Sequence, residues 1–96
     1  MKASLALQVL PLSQGIDRIA VIDQVITYLQ AQSVSLVVTP FETVLEGELD
    51  ELLIILKGAL EVAGQEADNV FANVKLNVGE ILSTDEKLKK YRAAAD

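Results

Sequence analysis

The chain contains no cysteine and no histidine. That absence removes disulfides, thiolate nucleophiles, imidazole bases and nearly all transition-metal sites in one step. Aromatic residues amount to only 4%, so a core must be aliphatic, built from Leu, Val, Ile and Ala. Basic residues are few: eight Lys and Arg stand against fourteen Asp and Glu, for a net charge of −6. Phosphate backbones are held by clustered Lys and Arg, so no nucleic-acid partner is expected. The basic cluster Lys87, Lys89, Lys90 and Arg92 falls at the end of a short C-terminal helix, where it complements the helix dipole. No apolar run reaches the length of a membrane span. The apolar start after Met1 breaks at Gln8 and Pro11, too early for the apolar core of a signal peptide. A cytoplasmic protein with no membrane partner is expected.

What is present is aliphatic residue in quantity. Hydrophobic residues make up 51% of 96 residues, enough for one packed domain over 1–96 and too much for disorder. A domain this small buries a limited share of its surface, so an apolar excess points to further burial between subunits, as a homo-oligomer.

Periodicity sets the order of elements. Residues 3–10 alternate, with Ala3, Leu5, Leu7 and Val9 on one face and Ser4, Ala6, Gln8 and Leu10 on the other, which suits a central strand. Residues 17–32 read as a helix with Ile19, Ile22, Val25, Ile26 and Leu29 as its stripe and Asp17 in its first turn. Residues 34–39 and 43–46 form two strands joined so tightly that they pair as an antiparallel hairpin. Pro40 places the first of them on an edge. A second helix runs from about Glu48 to Ala63, with Leu49, Leu52, Leu53, Leu56 and Leu60 buried and Gly64 as its C-terminal cap. Gly58 inside it points to close packing against the sheet. In strand 70–78, Ala72, Val74, Leu76 and Val78 point one way and Asn73, Lys75 and Asn77 the other. Ser83–Glu86 then reads as a capping box for a last helix ending near Tyr91. The resulting β-α-β-β-α-β order, with right-handed crossovers, predicts an α+β ferredoxin-like sandwich with antiparallel sheet order 4-1-3-2. Two helices cover one face of that sheet and leave the other open.

The polar residues concentrate on that open face and around Thr39-Pro-Phe-Glu-Thr-Val-Leu-Glu-Gly47. Glu42 and Glu46 project to one side of an extended segment, roughly 13 Å apart at the usual strand rise. That is too far for a single acid–base couple, so they read as solvated edge charges, or one of them as a ligand contact. Phe41 at a turn reads as a plug over the end of the core, an intersubunit anchor or a platform for a flat heterocycle. Ser4, Gln8, Asn73 and Thr43 offer the amide and hydroxyl pairs that match an aminopyrimidine edge; solvent or a subunit interface would satisfy them equally. Lys75 reads as a surface charge rather than a Schiff-base lysine.

Other families of this topology are tested by their absent parts. A copper chaperone needs Cys-x-x-Cys after the first strand, where this chain has Leu12-Ser-Gln-Gly15. An acylphosphatase needs an Arg in that loop, and no Arg precedes Arg18. An RNA-recognition module needs aromatic side chains on the open strands. An ACT-like amino-acid sensor remains open, although it usually accompanies an enzyme domain.

The segments Ser4–Leu12, Pro40–Gly47, Asn73–Leu76 and Asp85–Arg92, in that order, resemble the small YkoF-like thiamine-binding family. The resemblance implies a ferredoxin-like dimer or tetramer that binds thiamine, or its hydroxymethylpyrimidine moiety, near subunit contacts. It implies no catalysis and no cofactor other than thiamine as bound ligand. Thr43 and Glu46 match the family's Thr-Val-hydrophobic-Glu-Gly pattern, whereas Phe41 and Glu42 match only part of the family. The candidate ligand residues are therefore Thr43, Glu46, Gln8, Asn73, Ser4, Phe41 and Glu42. The alternative is a structural or regulatory homo-oligomer whose polar strand face is only a subunit interface.

Overall fold

The computed structural model describes residues 1–80 together with Glu86, Leu88 and Lys89. Its elements are β1 (Lys2–Pro11), α1 (Arg18–Gln30), β2 (Ser35–Val38), β3 (Thr43–Glu48), α2 (Leu49–Glu66) and β4 (Val70–Val78). The strands form one sheet in the order β2-β3-β1-β4, with every neighbour antiparallel. This is the expected ferredoxin-like order, read from the other edge. The anticipated last helix from Ser83 lies outside the described residues apart from Glu86, Leu88 and Lys89. Among the described residues no helix is long and apolar enough to cross a membrane.

β1 is central because one of its faces is wholly apolar. Ala3, Leu5, Leu7, Val9 and Pro11 are buried beneath the helices, while Ser4, Ala6, Gln8 and Leu10 are half-buried on the open face. Its ladder runs to β3 (Leu5 opposite Leu45) and to β4 (Leu5 opposite Leu76). On the helix side of β4, Val74, Leu76 and Val78 share the face of Leu7, Leu5 and Ala3. They nevertheless stay largely exposed, because α1 and α2 cover the middle of the sheet more fully than this edge.

Asp17 caps α1 instead of sitting within its first turn. Its backbone is extended and its Oδ1 accepts from the Ala20 N–H at 3.1 Å. Asp17→Ala is expected to destabilise the protein by about 1 kcal/mol, and Asp17→Ser to restore most of it, in urea unfolding followed by circular dichroism. The buried stripe of α1 is Val21, Val25 and Leu29, with Ile22 and Ile26 half-buried beside it. Ile19 does not belong to this stripe and is 72% exposed. It lies two residues before Val21, roughly 200° around the helix.

α2 departs further from expectation. Leu52, Ile55, Ala59 and Ala63 are its buried residues; Leu49, Leu56 and Leu60 flank them and Leu53 is exposed. The helix is apolar on more than one side, so its leucines alone do not mark the face that packs. Small Ala59 and Ala63 occupy that face because α2 lies close to its neighbours there. Gly64 is not the cap. The helix continues to Glu66 and leaves through Ala67 in an extended conformation, so no left-handed residue is needed. Gly58 faces Tyr28 of α1 and not the sheet.

Candidate ligand-binding site

The turn between β2 and β3 is built by one hydroxyl. Thr39 Oγ1 accepts from the Glu42 N–H at 3.0 Å and from the Phe41 N–H at 3.3 Å, and donates to the Glu42 carbonyl at 2.6 Å. The Thr39 N–H donates to the same carbonyl at 3.0 Å. A threonine has one donor and two acceptor positions, and this one uses all three inside the turn. Sequence reasoning singled out Phe41 and Glu42 but missed Thr39. The available signal was a hydroxyl residue directly before Pro40, the arrangement that starts a turn.

The turn sets two side chains of opposite character at its tip. Phe41 is 80% exposed. The Glu42 carboxylate is 29% exposed, and Lys75 of β4 reaches it with Nζ 3.4 Å from Oε2 and 3.5 Å from Oε1. Two hollows meet at these residues. The inner one, about 190 Å³, lies between β1, α1 and the turn; Leu7, Ile22, Ile26 and Thr43 are among its walls. The outer one opens on the free face of the sheet and is lined by Gln8, Phe41, Glu42, Asn73, Val74 and Lys75. Gln8, Phe41 and Glu42 line both.

Gln8 and Asn73 stand opposite each other on β1 and β4, and Asn73 Nδ2 donates to Gln8 Oε1 at 2.9 Å. That bond engages the Gln8 carbonyl oxygen and leaves its NH₂ group as a donor. Thr43 is 6% exposed and is the buried polar residue of the described chain. It pairs with Leu7 and so lies on the helix side, at the inner hollow.

Thr43 and Glu46 are back to back. An offset of three residues in a strand reverses the side-chain direction. Glu46 therefore lies on the open face, opposite Ser4 on one side and Ser35 on the other. Together with Lys2, Ser33, Glu48, Glu51 and Glu86 it borders a separate wide hollow, roughly 13 Å along the strand from position 42. Of the seven candidate residues, the structure gathers Gln8, Phe41, Glu42, Thr43 and Asn73 at one end of the sheet and leaves Ser4 and Glu46 at the other. At that far end the Met1 ammonium donates to Glu48 Oε2 at 2.8 Å. The bond holds the ammonium above its ordinary pKa and the Glu48 carboxyl below its own. Among the described residues no three carboxylates converge as a metal site.

The gathered end can hold a flat ring in an apolar recess, a cation at Glu42 and an amide or amine edge at Gln8. Comparison with known proteins bears on which ligand this is. A model of the family described as "Thiamine-binding protein" matches residues 5–92. The UPF0045 protein CPE1503 of Clostridium perfringens is 36% identical over 91 residues, which span 93% of this chain and 96% of that protein. The crystal structure of protein SP2199 from Streptococcus pneumoniae is 84% identical with a TM-score of 0.83, covering 93% of this chain and 99% of that one. The domain of unknown function DUF77 from Bacillus cereus is 31% identical with a TM-score of 0.88, covering 97% and 92%. With its fold and nearly its whole length matched, the chain belongs to the thiamine-binding protein family.

Proposed function

We propose that this chain binds thiamine, or its hydroxymethylpyrimidine moiety, at the Thr39–Thr43 turn, as a cytoplasmic homo-oligomer and without catalysis. The observation that carries the reading is the junction of two hollows at Glu42. The inner volume of about 190 Å³ falls below the roughly 300–1,000 Å³ of sites for drug-sized ligands. It suits one ring, and a two-ring ligand must extend into the outer hollow. The aminopyrimidine then enters the inner hollow with its edge towards Gln8 and Thr43, whose amide and hydroxyl can both donate and accept. The thiazolium stays at the mouth, its permanent charge against Glu42 and its ring against Phe41, a contact worth about 0.5–1.5 kcal/mol. Asn73 acts through Gln8. Ser4 and Glu46 take no part in this pose.

The charge balance argues against phosphorylated forms. Thiamine diphosphate would bring negative charge beside Glu42, where Lys75 already has a partner. A chain without His or Cys has few means of turning the ligand over, which supports binding alone. A second reading, an oligomer whose polar strand face is only an interface, is favoured by the exposure of the Phe41 ring.

Calorimetry with thiamine, hydroxymethylpyrimidine and thiamine diphosphate separates the two. Saturable binding near micromolar, about −8 kcal/mol, is expected for thiamine, with the diphosphate weakest. Glu42→Gln removes a charge-assisted contact and is expected to weaken thiamine by about ten- to a hundredfold. Thr43→Val should weaken it in the same direction, Glu46→Gln should leave it unchanged, and light scattering should show the same assembly for all three. Absence of heat with every ligand, together with altered assembly in these variants, would favour the interface reading.

A further inference from the structure

We infer that Lys75 is a built-in competitor at this site: in the free protein it stands in for the ligand's positive charge at Glu42, and binding exchanges one cation for the other. The inference rests on the thiamine reading above. Its observation is the unequal footing of the two partners. Glu42 is recessed, at 29% exposure, and its backbone N–H and carbonyl are both held by Thr39. Lys75 is 76% exposed and reaches Glu42 from β4 on a flexible four-carbon stem.

Contacts of 3.4 and 3.5 Å are long beside the roughly 2.7–2.9 Å of a tight charge-assisted hydrogen bond. The pair therefore has the character of a surface ion pair, weak and readily broken. The carboxylate stays in place and the ammonium is the part that can leave. Lys75 also lines the outer hollow, so it stands beside the space that the second ring of a ligand requires. A ligand bearing its own positive charge can displace Lys75 and keep Glu42 paired. A neutral ring of the same shape cannot, because displacing Lys75 would strand a partly buried carboxylate. Lys75 thus lowers the affinity of every ligand that enters the outer hollow, and only a cation recovers that loss.

The test compares thiamine with a neutral analogue whose thiazolium is replaced by an uncharged five-membered ring. Both are titrated calorimetrically into the wild type, Lys75→Met, Lys75→Arg, Glu42→Gln and the Glu42→Gln/Lys75→Met double variant. Lys75→Met removes the competing cation, so thiamine is expected to bind about two- to fivefold tighter, the range of a surface ion pair. The neutral analogue should tighten by the same factor, since it too no longer has to displace the lysine, and should stay weaker than thiamine in both proteins. Lys75→Arg should behave as the wild type. In the Glu42→Gln background, Lys75→Met should have no effect on thiamine, because the partner through which Lys75 acts is gone. The inference is overturned if Lys75→Met leaves thiamine affinity unchanged or weakens it, if it tightens thiamine and leaves the neutral analogue unchanged, or if its effect survives in Glu42→Gln. Absence of thiamine binding in the wild type and all variants would overturn the thiamine reading itself, and this inference with it.

Discussion

Leu45→Ala is expected to destabilise the protein by about 3–5 kcal/mol, the upper part of the range for a buried leucine. Leu45 is fully buried on β3 and stands between its cross-strand partners Leu5 and Leu36, beneath α2. Sheet backbone fixes its neighbours on two sides, so the vacated space cannot close by side-chain movement alone. A domain of this length has a total stability of roughly 5–14 kcal/mol at ordinary per-residue values, so the loss takes a large share of it. Urea unfolding at one protein concentration should show a lower midpoint at unchanged slope. Leu45→Met, which nearly conserves volume, should lose less than about 1.5 kcal/mol. A loss below about 1 kcal/mol for Leu45→Ala would mean that the residue is not packed as described.

Gly58→Ala carries the second large effect, and its sign is the informative part. Helix propensity alone predicts that replacing a mid-helix glycine by alanine stabilises by about 1 kcal/mol. At Gly58, however, an ideal Cβ would lie 2.6 Å from Tyr28 Cζ and closer still to its hydroxyl. Tyr28 is half-buried and packs against the core, so its ring has little freedom to retreat. Forcing an extra carbon into such a contact costs about 1–3 kcal/mol, which outweighs the propensity gain. The net expectation is a destabilisation of up to about 2 kcal/mol. In a Tyr28→Leu background the obstruction is gone, and Gly58→Ala should become stabilising. If the single variant melts above the wild type, α1 and α2 do not approach each other as closely as the structure has them.

Gly58 also marks the limit of what sequence reading could reach. Its presence announced a close approach, but only the fold names Tyr28 as the residue approached. Where the pattern had one interpretation, it sufficed. The strict alternation Ala3-Leu5-Leu7-Val9 requires a strand buried on one face, and a strand apolar on that face at the middle of a βαββαβ order can only be central. The turn at Pro40 leaves β2 and β3 no arrangement other than a hairpin. α2 failed because Leu52 through Leu56 is apolar in every position. A continuous run has no periodicity, so choosing leucines over alanines selected the wrong rotation.

The candidate site was legible as a segment and illegible as a geometry. Thr43 and Glu46 were grouped because they share a motif, although an odd offset within a strand already places them on opposite faces. Phe41, Glu42, Gln8 and Asn73 come together because β1 lies between β3 and β4, and that adjacency is a property of the sheet order. Lys75 looked like a surface charge and is one by exposure. Its partner 33 positions away could be identified only from the register of β4 on β1.

The Thr39 hydroxyl has a consequence for the cost of binding. A loop that carries a binding charge usually has to be ordered when its ligand arrives, and the entropy of that ordering is subtracted from affinity. Here the backbone on both sides of the Glu42 Cα is already tied to one side chain, through bonds formed when the hairpin folds. The conformational search is over before any encounter, and in the proposed pose association is left with little more than the exchange of water and a lysine for the incoming cation. A hairpin turn of four residues thereby acts as a preorganised electrostatic element.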